Sequence, residues 1–261
     1  MARRAAADRQ VHLKSADEIG KMREAGRIVA VVLRELQEAV RPGLRTEELD
    51  ELAERTILSM GAEAAFKGYA GYPATLCVSV NDEVVHGIPG DRELKDGDIV
   101  SLDVGAIVDG FYADGATTVP VGSASESARP LMRVTKQALD LGIAQARRGK
   151  TVGDIAAAIE RHVEKHGYSV VRELSGHGIG RNMHEAPQVP NFTVGAAAGQ
   201  LRVRLEPGMT LAIEPMVNEG TADVVRSEDG WTYRTRDGRL SVHYEHTVAV
   251  TDDGAEVLTS L

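Results

Sequence analysis

Four carboxylates and one imidazole carry the chemical promise of this chain: Asp103, Asp114, His177, Glu214 and Glu245, each inside or beside an apolar run. Carboxylate oxygens suit hard divalent ions and an imidazole adds a borderline ligand. The set therefore fits two Mn, Fe, Co or Zn ions better than Ca or an iron–sulfur cluster. An excess of carboxylates allows bridging between two ions, and two-ion sites serve hydrolysis. No single helix or loop could carry all five residues, so the fold must gather them.

Taken singly, each residue also has a plainer reading. Asp103 and Asp114 are eleven residues apart with a turn signal, Asp109-Gly110, between them. In one continuous strand an odd spacing points two side chains to opposite faces, but a hairpin can return them to the same side of adjacent strands. Two carboxylates brought that close repel unless cations lie between them. The alternative for Asp114 is a turn cap on Gly115. Gly176-His177-Gly178-Ile179-Gly180 is too glycine-rich for a helix and lets backbone approach a ligand closely. It does not match the phosphate-binding glycine pattern. His184 follows seven residues later, a spacing that in extended chain would not aim both rings at one ion, so His177 reads as ligand and His184 as a substrate-facing donor. Alone, either could be a satisfied core histidine.

Glu214 ends the apolar run 209–213, and Glu245 sits within the β-branched stretch Val242 to Val250. A charged Glu in so apolar a strand is costly unless paired or bound to a metal. Its strand-mates His243, Thr247 and Ala249 form the more polar face, which could line a cavity or meet water. His86 lies in a Pro/Gly-framed loop, 81–90, of a kind that hosts functional side chains and ordinary turns alike.

The elements that would position these residues come in two similar sets. Ser15 and Glu18 have capping-box spacing at the head of an amphipathic helix whose apolar face is Met22, Ile28, Val29, Val32, Leu33 and Leu36. Arg41-Pro42-Gly43 ends it. A second helix starts near Thr46, carries Leu49, Leu52, Ala53 and Ile57, and stops at Gly61. Strands are expected at 75–80 and 99–104. Eighteen residues separate Gly43 from Gly61, and eighteen separate Gly149 from Gly167. The run Leu94 to Asp103 then aligns with Leu205 to Glu214, so each of these carboxylates is expected to end a strand in its own half. A duplicated helix–helix–strand unit predicts two halves about a pseudo-twofold axis, with a carboxylate from each near the midline and the joint at Gly122–Pro130.

Composition agrees with a single large globular unit. The chain has 261 residues, 43% apolar and 26% charged, with net charge −9. That length can bury a large core. The negative charge argues against a nucleic-acid partner. No apolar run reaches the roughly 20 residues of a membrane span, and the basic, alanine-rich start lacks an apolar signal core. One cysteine, Cys77, excludes an intrachain disulfide and suits a reducing compartment, so the expected location is the cytoplasm.

Together the stretches 80–89, Asp103 with 109–114, 176–185, 213–218 and 244–246 closely resemble type I methionine aminopeptidases, in the family's order and from about Ser15 to Leu261. The resemblance implies an α+β pita-bread fold: duplicated halves and a curved antiparallel sheet covered by helices. It implies residues 1–14 as a poorly ordered extension and 15–261 as one catalytic domain, with halves at about 15–121 and 131–261. It also implies removal of the initiator methionine from nascent polypeptides when the second residue is small.

Carried over residue by residue, Asp103 would hold one ion, Asp114 and Glu245 would bridge two, and His177 with Glu214 would complete the other. Glu214 would accept a proton from the attacking water, and His86 and His184 would contact substrate near the scissile peptide. Tyr69, Tyr72, Cys77 and Trp231 match positions lining the methionine pocket; an aromatic wall suits a thioether. Met183 stands where the bacterial pattern often has Phe, and Phe66 where it can have Cys, so the pocket's shape is this chain's own. A monomer is expected, and the charge offers no patch to support a ribosome contact. The rivals are a proline-specific aminopeptidase or dipeptidase of the same fold, with the same ligands, and a non-catalytic protein that keeps the fold.

Overall fold

The computed structural model describes residues 10–196 and 198–261. Ser15 caps the first helix as its spacing predicts: its hydroxyl accepts from the Glu18 N–H while the Glu18 carboxylate accepts from the Ser15 N–H. The helix, α1 (Ala16–Ala39), buries the expected stripe from Met22 to Leu36. Gly43, in the left-handed region at φ 83°, turns the chain into α2 (Thr46–Ser59). The second half repeats the arrangement with α3 (Ala128–Ile143) and α4 (Val152–Lys165), the latter capped by a Thr151–Asp154 box.

Fifteen strands complete the described chain. They are β1 (Glu63–Ala64), β2 (Leu76–Val80), β3 (Glu83–Val85), β4 (Ile99–Val108), β5 (Phe111–Pro120), β6 (Ser169–Val170), β7 (Gly176–Gly178), β8 (Glu185–Val189), β9 (Thr210–Ile213), β10 (Met216–Asn218), β11 (Val224–Arg226), β12 (Tyr233–Thr235), β13 (Ser241–His243), β14 (Glu245–Val250) and β15 (Ala255–Val257). A nine-stranded antiparallel sheet runs β1-β4-β5-β14-β9-β7-β8, with β2 on β4 and β15 on β14. Two three-stranded sheets, β13-β10-β6 and β11-β12-β3, flank it.

The internal repeat is written in the backbone. Gly43 and Gly149 have φ of 83° and 86°, Gly61 and Gly167 of 77° and 80°, Gly97 and Gly208 of 94° and 92°. All three pairs fall at matched positions and take a conformation that a Cβ disfavours. The hydrogen bonds match too: the Leu94 N–H donates to the Leu44 carbonyl, and the Leu205 N–H to that of Lys150.

The seam between the halves is the β5–β14 pair, with Glu245 opposite Ala116 and His246 opposite Gly115. One step further on, a side chain continues the pairing. The Thr247 hydroxyl accepts from the Asp114 N–H at 2.9 Å and donates to the Asp114 carbonyl at 2.7 Å. Strand alternation then sorts the faces. Val100, Leu102 and Val104 of β4 pack with α1 and α2, while Leu211, Ile213, Val248 and Val250 pack with α3 and α4. Asp103, Asp114 and Glu245 alternate with these and face away from the helices.

Four boundaries differ from the sequence reading. Asp103 does not end its strand, because β4 continues to Val108. The expected strand from Val242 to Val250 is two: the chain breaks at Tyr244, leaving β13 in a flanking sheet and β14 in the central one. The joint is shorter than Gly122–Pro130, since α3 already begins at Ala128 and Pro130 lies in its first turn, where a missing N–H costs nothing. Of the expected extension, residues 1–9 lie outside the described residues, but Lys14 is tied down. Its ammonium pairs with Glu185 at 2.6 Å with both side chains buried, so the packed chain starts before residue 15.

Candidate metal centre

The hairpin brings Asp103 and Asp114 together. Its turn uses φ of 50° at Asp109 and 74° at Gly110, a geometry suited to tight hairpins. In the resulting register Asp103 faces Ala116 and Asp114 faces Gly105, a diagonal pair on one face. Glu245 faces the same Ala116 from the other side. Glu214 follows β9, whose Ala212 pairs with His177. All five residues of the expected ligand set thus line one cavity of about 150 Å³.

The donor atoms are close. Ligand atoms of Asp114, His177 and Glu245 lie within 4.8 Å of one another, and His177 Nε2 is 3.6 Å from Glu214 Oε1. The His177 Nδ1–H donates to the Gly178 carbonyl at 2.9 Å, which leaves the Nε2 lone pair directed into the cluster. Burial pushes the His177 imidazole down to about 3, so it is neutral and fit to ligate. Glycine permits this tight passage: a Cβ on Gly178 would lie 2.2 Å from the Ala186 carbonyl oxygen.

Three of the carboxylate oxygens, Asp103 Oδ1, Asp114 Oδ1 and Glu245 Oε1, are buried with no hydrogen-bond partner among the described residues. Burial, then repulsion among the carboxylates, raises Asp103, Glu214 and Glu245 well above the usual range, and burial lifts Asp114 to about 7. Unpaired buried charge costs several kcal/mol per ion. Divalent cations remove that penalty, and the oxygen-rich set with one imidazole fits Mn, Fe, Co or Zn. The reading in which Glu245 sits on a solvated face is excluded by its 2% exposure.

The two further histidines reach the same cavity. His184 does so because the chain between it and His177 is not extended. A loop after β7 doubles back into β8, leaving the two rings 4.2 Å apart. The Tyr69 hydroxyl lies 2.8 Å from His184 Nδ1; with that hydroxyl donating, the imidazole proton sits on Nε2. His86 opens the loop just after β3, at φ 60°, and burial brings it down to about 4.

Tyr69, Tyr72, Cys77 and Trp231 also line the cavity, as do Phe66 and Met183. Tyr72 meets Trp231 edge-on at 5.1 Å, and its hydroxyl donates to the carbonyls of Leu76 and Gly87. Ala70, which the sequence did not single out, completes the wall. The sequence reading also gave no role to His243. Its only signal was the shared strand face with Glu245, which the break at Tyr244 obscures.

A buried cluster of four carboxylates with a neutral imidazole is the mark of a metallohydrolase, and comparison identifies which. The sequence matches Metallopeptidase family M24 over residues 20–252. The chain belongs to family M24. This M24 chain is 48% identical over 246 residues to methionine aminopeptidase 1 of Bacillus subtilis, covering 94% of itself and 98% of that protein. The crystal structure of methionine aminopeptidase from Thermotoga maritima superposes with a TM-score of 0.92 at 44% identity, over 97% of this chain and 100% of that one. Prolidase from Pyrococcus furiosus, at 24% identity and a TM-score of 0.77, shares the pita-bread fold; it covers 95% of this chain and is 65% covered in return.

Proposed function

We propose that this M24 chain is a methionine aminopeptidase, removing the N-terminal methionine of polypeptides whose second residue is small. The observation that carries it is the joining of two surfaces in one cavity. An aromatic and sulfur-lined wall of Phe66, Tyr72, Cys77, Met183 and Trp231 runs directly to the carboxylate cluster. A methionine whose thioether lodged on that wall would place its main-chain carbonyl among the ligands. The full-length similarity to methionine aminopeptidases favours this reading over a proline-specific one, for which the likeness is in fold alone.

The residues divide the work by position. Asp103, Asp114, His177, Glu214 and Glu245 would together hold two divalent ions, with carboxylates from both halves shared between them. When bound, the ions supply Lewis acidity and lower the pKa of water toward neutrality. Glu214, set beside His177 and kept basic by burial and by the neighbouring Asp114, would accept the water's proton. His184, its proton fixed on Nε2 by Tyr69, donates to the substrate carbonyl or scissile nitrogen from one side, and His86 donates from the other. The dry wall fixes the methionine side chain and with it the scissile bond. A wider groove of about 760 Å³ shares His177 and His184 with the cavity and includes Ser175, Gln188 and Gln200, giving the rest of the polypeptide a way out.

No helix among the described residues is long and apolar enough to cross a membrane. A cytoplasmic monomer acting on nascent chains is the setting that fits this chemistry. The test is a comparison of Met-Ala-Ser with a Xaa-Pro peptide on Mn- or Co-loaded protein. Cleavage of the first alone is expected; preference for the second would overturn the assignment.

A further inference from the structure

One buried imidazole beside the cluster is not used by the five-ligand set. His243 ends β13, two residues before Glu245, and is 1% exposed. Its Nε2 lies 3.9 Å from Glu214 Oε2 and 3.8 Å from Glu245 Oε2. Neither ring nitrogen has a hydrogen-bond partner among the described residues. Buried polar groups are rarely left so.

The arrangement has a direction. Glu214 turns Oε1 toward His177 and Oε2 toward His243, so its carboxylate is strung between two imidazoles. Glu245 likewise presents Oε2 to His243. His177 lines the cavity, whereas His243 is fully buried against the two glutamates. The main chain that carries the ring is anchored to the seam. The His243 N–H donates to Thr118 Oγ1 at 3.0 Å and its carbonyl accepts from the same hydroxyl at 2.7 Å. Thr118 belongs to β5, the strand that carries Asp114.

We propose that His243 is a positioning residue. Its Nε2–H is the donor shared by the outer oxygens of Glu214 and Glu245, and it fixes both carboxylates so that their other oxygens face the ions. A group behind metal ligands tunes affinity through their orientation rather than by binding the ion itself. Ring nitrogen and carboxylate oxygens are too far apart here for direct bonds, so the contact closes by a small side-chain adjustment as the glutamates take up their ligating positions. The inference rests on the two-ion reading above.

The test uses the full chain stripped with EDTA and titrated with Mn(II) by calorimetry, with Co(II) visible spectra alongside. Wild-type protein is expected to take up two ions. His243→Ala is expected to weaken Mn(II) binding by roughly 10–100-fold, and His243→Leu, which fills the volume without a donor, to do the same should the alanine variant not fold. His243→Gln carries an amide N–H that reaches the same place, and should bind close to wild type with an unchanged Co(II) spectrum. Unaltered affinity in the leucine or alanine variant would overturn the proposal. So would a glutamine variant as weak as leucine, or one with a changed Co(II) spectrum, which would make His243 a packing group or a ligand. A wild-type chain that takes up no ion would fail the two-ion reading itself.

Discussion

The two halves build their share of the centre differently. The first half offers Asp103 and Asp114 on one unbroken hairpin of two ten-residue strands, so their placement follows from a single register. The second half works with β9 of four residues and a strand broken at Tyr244, and it supplies Glu214, Glu245 and the imidazoles His177, His184 and His243. A long ladder fixes carboxylates cheaply but points every second side chain the same way. Breaks and returns are what let a chain aim imidazoles from several directions at one point. The repeat thus gave a symmetric floor, and irregularity in one half made it a site.

The sharpest way to break this comparison is to remove a carboxylate from the regular half. Asp114→Asn should lower turnover of Met-Ala-Ser by roughly 10³-fold or more, since bound ions lower the barrier by several kcal/mol, and elemental analysis should find fewer than two ions per chain. Retained turnover with two ions would show that the first half does not share its metals with the second. Chelation of the wild type should give the same loss, reversed by Mn or Co. Next comes an imidazole of the irregular half: His184→Ala should slow turnover by roughly 10²-fold while both ions stay. A loss of metal instead would place His184 among the ligands.

The third expectation concerns stability. In the metal-free chain, carboxylates from both halves are shifted upward, Asp114 to about 7 and Asp103, Glu214 and Glu245 well above the usual carboxylate range. The imidazoles His86, His177 and His243 are shifted down to about 4, 3 and 3. By about pH 7.5 the histidines are neutral in both folded and unfolded states. Only the carboxylates then differ, the folded state holding more protons, so stability falls as pH rises further. Metal-free protein should therefore melt at progressively lower temperature from about pH 7.5 to 8.5, and Mn should remove the trend. A flat or rising melting curve without metal would contradict the buried cluster. The smallest effect belongs to a contact across the halves. Tyr69→Phe removes the hydroxyl beside His184 and should slow turnover by about fivefold, in line with one hydrogen bond of about 1 kcal/mol. A loss as large as that of His184→Ala would give Tyr69 a direct part in the chemistry.

Where local chemistry decides the outcome, the sequence was readable. The Ser15 cap, the turn at Asp109-Gly110 and the left-handed glycines at Gly43, Gly61, Gly149 and Gly167 all follow from residue type and spacing. The five candidate ligands were legible as types and, through the family motifs, as a set, and the fold brings all five to one cavity. What residue order could not supply was long-range return. The distance between His177 and His184 depends on a loop doubling back, and the break at Tyr244 depends on two sheets competing for one strand. Periodicity carries no record of either. The place of His243 is set by the same break: residue order puts it on the polar face with Glu245 but cannot show that it is buried against two carboxylates.

The hydroxyl of Thr247, clasping the main chain of Asp114 from both sides, has a consequence for how the enzyme comes to be loaded. That pair of bonds sets the spacing of Asp114 and Glu245 across the seam through main chain. The reach between the two halves is thus dictated by the polypeptide itself, and a cation of the wrong size would have to fit the gap rather than reset it.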